Sequence, residues 1–513
     1  MSLSNSPFTN RLDTNYVPSP SEILEIRSLL VDPLEEIARI DAQIEEMELA
    51  LTELREKRAL LQQPIDAHKA LISPMRLIPH DVLLEIFFAC LPSEHNALID
   101  PAEAPLLLGR ICRHWRSVAY SAPMLWSSIH IPPLDYSNTP PGILLGLERT
   151  VKAWLERSAA CPLSVSFFDF TNYVEPDSEF EKHLFAPQVL AASRRLRCLV
   201  LFGDAEFLRP ILQLGPENLP LLKSIRMKTL IQTFSTKILE IPTLEDVALS
   251  LTVATDQLSL PLPWSQLRRL RLDCQPRWTG QGYEGGLDFD GAINVLRMSP
   301  NLEHCEMRVT KYSEYSSYNS SPIFLPLLHT LVFSGWQFYL RNWIPDLVAP
   351  NLYSLQIGDV IPPPDNQGRL SVAIDFHLFT TTSLHEFLQS LPMISSLQLV
   401  AGYHAEGVPP DDEFIALLCP PHNSCPMLTD IGIMMAPSTG ISDAAILAFI
   451  KARMAMPTPL RRFEASFSRR MELDVMPDLQ CFISGGLQVT LKYPQSRRAF
   501  RARDGLDGPG AFY

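Results

Sequence analysis

Apolar residues fall into three successive patterns along this 513-residue chain. In the first, Ile37, Ile40, Ile44, Met47, Leu51, Leu54 and Leu61 alternate between the a and d positions of a heptad, with Arg58 at the remaining a. Glu35, Glu36, Glu45, Glu46, Glu48, Glu53, Glu56 and Lys57 occupy much of the rest. Spacings of three and four put the apolar side chains on one seam, which predicts an amphipathic heptad helix over residues 33–62. Pro64 is expected to end it, because an interior proline loses a hydrogen bond and clashes with the preceding turn. Two readings of the seam stay open: packing against its own protein, or pairing with a partner helix, including a homodimer through residues 33–62. Residues 1–32, whose first part is rich in Ser, Asn, Thr and Pro, are expected to be disordered.

The second pattern predicts a small all-helical domain over residues 72–131. IPHDVLLEIFFACLP opens with Pro79, which is tolerated in a first turn, and Asp81 sits near the positive helix end. Val82, Leu83, Ile86, Phe87, Cys90 and Leu91 form a broad apolar face, and Pro92 stops the helix. LLLGRICRHWRSVAYS reads as a second helix with Leu108, Ile111, Cys112, Trp115, Val118 and Ala119 on one side. Arg113 and Trp115 lie roughly 160° apart on that helix, so ring and cation do not share the single surface a base-stacking platform needs. Trp115 therefore reads as core and the arginines as a solvated face.

The third pattern fills the rest of the chain. Residues 132–190 hold a proline-bearing linker, the predicted helix GILLGLERTVKAWLERS and the predicted strand CPLSVSFFDF. From residue 196 a phrase Φ-x-x-Φ-x-Φ (Φ apolar) recurs: LRCLVL, LKSIRM, LEDVAL, LRRLRL, LEHCEM, LHTLVF, LYSLQI, ISSLQL, LTDIGI and LRRFEA. Such a triplet alone arises by chance about once in 27 residues. Its context is more specific. Proline stands two residues before the first Φ in seven of the ten copies (Pro220, Pro242, Pro300, Pro326, Pro350, Pro392 and Pro426), where 45 prolines in the whole chain would place about one. The phrase is the strand-bearing core of a leucine-rich repeat. Helical returns are expected at FDGAINVLRMS, SLHEFLQSL, DEFIALLC and SDAAILAFIKARM. Residues 191–490 thus read as an irregular leucine-rich-repeat-like solenoid with a parallel sheet, and 491–513 as a basic, then Gly/Pro-rich tail. The fold class is α/β.

Charge and chemistry narrow the function. A net charge of −14 excludes a general nucleic-acid binder. Nine cysteines without framework spacing fit a reducing compartment, and neither a secretory leader nor an apolar run of membrane-spanning length is seen; an intracellular protein, cytoplasmic and/or nuclear, is expected. TGQGYEGG carries G-x-G-x-x-G at Gly280, Gly282 and Gly285, but without a tight βα turn it reads as a repeat insert. Cys419, His422 and Cys425 invite zinc, yet no fourth ligand is suitably spaced. No Walker loop, G-x-S-x-G or H-E-x-x-H is present. No catalytic, cofactor or metal residue is assigned.

The 72–131 pattern resembles the F-box. Its elements here are Ile78-Pro79, Asp81, Val82-Leu83, Ile86-Phe87, Ile111-Cys112-Arg113-His114-Trp115 and Leu125-Trp126; Ile78 replaces the usual Leu, and Asp81 the usual Glu one position late. The heptad helix just before it and the closing APMLW look like the large F-box families of mushroom-forming fungi. The resemblance implies a substrate receptor, not an enzyme: docking to a Skp-type adaptor and cullin through Ile78, Pro79, Val82, Leu83, Ile86 and Phe87, with a protein target held by the repeats. It places Cys112, Trp115, Leu125 and Trp126 in the F-box core. The alternative is a non-ligase interaction scaffold, dimeric through the N-terminal helix.

Overall fold

The computed structural model describes residues 6–72, 74–133, 139–168, 184–230, 236–252, 259–278, 283–311, 321–335, 343–360, 368–400, 411–434 and 440–494. It divides into two units, Met1–Ile86 and Phe87–Tyr513. The division falls inside the 72–131 segment that the sequence pattern treats as one domain.

The first unit is dominated by α1 (Pro20–Leu71), 52 residues long. This corrects two expectations. Residues 20–32 are helical, because Pro20 occupies a first-turn position and Glu22 accepts the Ser19 N–H at 2.7 Å, which caps the start. Pro64 does not end the helix, and neither does Pro33. Each proline removes one bond of the ladder, while the Glu, Leu, Ala and Arg-rich turns on both sides continue it. From residue 34 to 69 every side chain is exposed. A second helix, α2 (His80–Ala89), follows; its first carbonyl is that of Pro79, which accepts from Leu83 N at 2.9 Å.

In the second unit the expected single helix over LLLGRICRHWRSVAYS is broken. It forms α3 (Leu108–Ile111) and α4 (Arg113–Ser121), with Cys112 extended between them. The break is stabilised locally, since Cys112 Sγ accepts the Trp115 N–H at 3.4 Å as an N-cap.

The remainder carries a 14-stranded sheet whose strands lie side by side in chain order, every neighbouring pair parallel. The strands are β1 (Ser128–Ile131), β2 (Leu163–Phe168), β3 (Leu196–Asp204), β4 (Ser224–Leu230), β5 (Asp246–Thr252), β6 (Arg269–Gln275) and β7 (His304–Arg308), then β8 (Thr330–Ser334), β9 (Ser354–Ile357), β10 (Ser371–Asp375), β11 (Ser396–Val400), β12 (Asp430–Met434), β13 (Arg462–Ser466) and β14 (Gln488–Lys492). Each of the ten phrases supplies one strand, β3 to β9 and β11 to β13. The second and third Φ fall in register across neighbours, as in Leu270↔Cys305 and Leu272↔Met307, so two continuous apolar columns run under the sheet. Strands β2, β10 and β14 escape the phrase because Pro162, Arg369 and Gly486 stand where the first Φ would be. Strand β1 does follow it, as Trp126, Ile129 and Ile131, all fully buried. The segment assigned wholly to a helical domain therefore ends in the sheet's first strand.

The seven repeat prolines have a sharper role than stiffening. Each is the second residue of a turn closed by the first Φ, as in Leu302 N–H to Ser299 O (3.4 Å) and Leu328 N–H to Leu325 O (3.2 Å). A fixed φ near −65° suits that position. The returns carry α5 (Pro141–Arg157), α6 (Ala186–Ala191), α7 (Ala205–Leu212), α8 (Phe289–Met298), α9 (Thr381–Ser390), α10 (Asp412–Leu417), α11 (Asp443–Met454) and α12 (Met476–Ser484). The four expected helical returns are α8 to α11.

Candidate functional site

Three places bear on function. The first is α2. Pro79 and Val82 are exposed, and Ile78 and Ile86 partly so. Leu83 and Phe87 are fully buried, which removes them from the expected set of adaptor contacts. The helical period explains the split. Residues 79, 82 and 86 follow the i, i+3, i+7 stripe that faces outward, while 83 and 87 form the i, i+4 pair that faces inward. The stripe that can meet a partner is thus Ile78, Pro79, Val82 and Ile86.

The second is the aromatic corner. Leu125 and Trp126 are fully buried, but Cys112 and Trp115 are only half-buried, so Trp115 is not the core residue its pattern suggested. Its ring lies 5.0 Å from that of Phe87. The break at Cys112 resets the helical phase, which also leaves Ile111 exposed. Trp126 takes the central position: its Nε1–H donates to Ala119 O at 2.8 Å, and its ring meets Trp154 edge-on at 5.0 Å. The Arg157 guanidinium covers both Tyr120 and Trp126, at 4.2 and 4.7 Å from the ring centroids. The cation over the tryptophan thus comes from α5 and not from the basic run around Trp115.

The third is the sheet and its turn edge. The positions between the apolar columns carry polar side chains such as Arg226, Arg271, Glu306 and Glu464. They pair across strands, as in Arg271–Glu306 at 3.3 Å, and are too exposed to add much stability. The rings of His304, at the start of β7, and of His329 and Tyr353, just before β8 and β9, form a row with centroids 6.0 and 5.6 Å apart. Partial burial, with Arg269 beside it, holds His304 below its ordinary value. At the turn edge a cleft of about 800 Å³ is lined by Met393, Met427, Pro350, Pro459, Arg369 and Arg461 among others. Met393 is 65% exposed, an unpaired apolar side chain of the adaptable kind found on recognition surfaces. Along the same edge Asn301 Nδ2 donates to Ser265 O (2.6 Å), Asn351 Nδ2 to Pro326 O (2.7 Å) and Gln266 Nε2 to Pro242 O. These three bonds each tie a turn to the one before it. The sequence marks the edge through its prolines, and an asparagine follows only two of them, Pro300 and Pro350.

The tempting chemistry resolves differently. Gly280 and Gly282 lie outside the described residues; Gly285, with φ of 82°, follows a short antiparallel pair made by Arg277–Trp278 and Tyr283–Glu284. Around Cys419 and Cys425 the occupant is a side chain. Arg453, fully buried, donates to Cys425 O and Asn423 Oδ1, each at 3.1 Å, and to the Leu418 and Leu428 carbonyls. A guanidinium already inside this loop opposes a dication, and burial pushes the Cys425 thiol up to about 12, away from the thiolate a metal requires. Among the described residues no cluster of three metal-ligating side chains occurs, and no helix is long and apolar enough to cross a membrane. No family model matches the chain, and no curated protein matches it significantly.

Proposed function

We propose that this chain is a substrate-receptor subunit of a Skp/cullin/F-box type ubiquitin ligase. In that reading the 72–131 segment is the F-box and the stripe of Ile78, Pro79, Val82 and Ile86 docks a Skp-type adaptor. The 14-stranded region is a leucine-rich-repeat-like solenoid, irregular in repeat length, that holds a protein target. The reading rests chiefly on the α2 stripe: apolar residues that stay wholly or partly exposed, within the ordered set of F-box-like elements. The parallel, chain-ordered sheet supports the repeat half, because repeats that bury apolar columns only against neighbours build long binding surfaces. Such a receptor performs no bond chemistry; it raises the local concentration of target lysines near a charged enzyme.

Co-expression with a fungal Skp-type adaptor tests it. The wild type is expected to co-purify, and Pro79→Ala with Ile86→Asp to fold but not bind. A wild type that folds and leaves the adaptor behind refutes the reading.

A further inference from the structure

The heptad seam of α1 extends well beyond residues 33–62. Counting from Ile37 at a, the a positions are Ile23, Leu30, Ile37, Ile44, Leu51, Arg58 and Ile65, and the d positions Ile26, Pro33, Ile40, Met47, Leu54, Leu61 and His68. The apolar members from Ile37 to Ile65 are 44–67% exposed. Within Met1–Ile86 no other described segment covers the seam from 34 to 69. A row of isoleucine and leucine this long has no reason to remain in water.

We propose that α1 pairs with α1 of a second copy as an antiparallel coiled coil, residue 37 of one chain opposite 68 of the other. Three features of the seam select this arrangement. In a parallel dimer Arg58 would face Arg58 of the second copy inside the same a layer, and Glu36 at g would face Asp41 at e, like charge against like. In the antiparallel register Arg58 faces Met47, whose flexible side chain leaves room for the guanidinium to reach out, with Glu48 next to it. The flanking e positions then pair Glu48 with Arg55 of the other copy, twice by symmetry, and bring no like charges together. Shifting the register by one heptad either way sets Glu48 against Glu48 or Arg55 against Arg55. Finally, the chosen register overlaps residues 34–71 completely, the stretch between Pro33 and the helix end at Leu71. The core layers are Ile37–His68, Ile40–Ile65, Ile44–Leu61, Met47–Arg58 and Leu51–Leu54, each occurring twice.

The inference is independent of adaptor docking, and its test uses the purified full chain alone. Light scattering is expected to give a dimer that Leu51→Asp with Leu54→Asp converts to monomer. Glu48→Arg and Arg55→Glu are each expected to weaken dimerisation about tenfold, and the double variant to restore it. Neither residue meets an oppositely charged partner in the parallel arrangement, so that cycle reads orientation. A spin label on a non-natural residue at position 38 should report a separation of about 43 Å between copies, from a rise of 1.5 Å per residue, against under about 20 Å if parallel. A monomeric wild type, a short label distance, or a charge cycle without rescue would each overturn the proposal.

Discussion

Single residues divide here by what surrounds them. Trp126 is enclosed on all sides and its indole N–H is bonded, so Trp126→Ala is expected to cost about 3–5 kcal/mol in denaturant unfolding. Trp115→Ala should cost clearly less, because that ring is half in water. Asp443 offers a second case. Burial works against its charge, yet Arg469, the N–H groups of Leu473 and Glu472 and the Tyr493 hydroxyl hold its carboxyl down at about 2. A folded value below the unfolded one, near 3.9, means stability that is complete above about pH 5 and lost as pH falls toward 2. The stability gap between wild type and Asp443→Asn should therefore be widest at neutral pH and close on acidification, in melts across that range. The Asp443 cluster was not legible in the sequence, where Asp443 is one acid among many and its partners lie 26 to 50 residues away.

At the scale of elements, periodicity succeeded where one face is buried and failed where a local bond overrides it. The apolar face of α2 follows directly from a 3.6-residue period, although its division into a buried and an exposed stripe does not. Nor does the break at Cys112, because a thiol acting as N-cap leaves no compositional mark. Serine is the stronger cap, so Cys112→Ser is expected to preserve or raise thermal stability, and a clear fall in melting temperature would contradict the cap. The turn edge was half visible. The prolines announced it, but the side-chain bonds from Asn301 and Asn351 to the preceding turn required the register. Asn351→Ala should lose roughly 1 kcal/mol in equilibrium unfolding and more than an exposed Asn on α-helical returns would.

Across the whole molecule, the sheet is long and one-dimensional in its order, each strand resting on the one before and after. The pattern of apolar and polar residues determined by itself that strands would recur, that helices would return between four of them, and that the N-terminal helix would carry a seam. Those features need only local geometry and burial on one face. Tertiary structure decided the rest. It admitted β10 and β14 although Arg369 and Gly486 break the phrase, because two apolar columns in register with a neighbour suffice to hold a strand. It took Leu83 and Phe87 out of the partner face, and it drew Trp126, Ile129 and Ile131 into the first rung of the sheet. An apolar residue on a helix or strand announces only that it will be covered; which surface covers it is fixed by contacts between segments far apart in the chain.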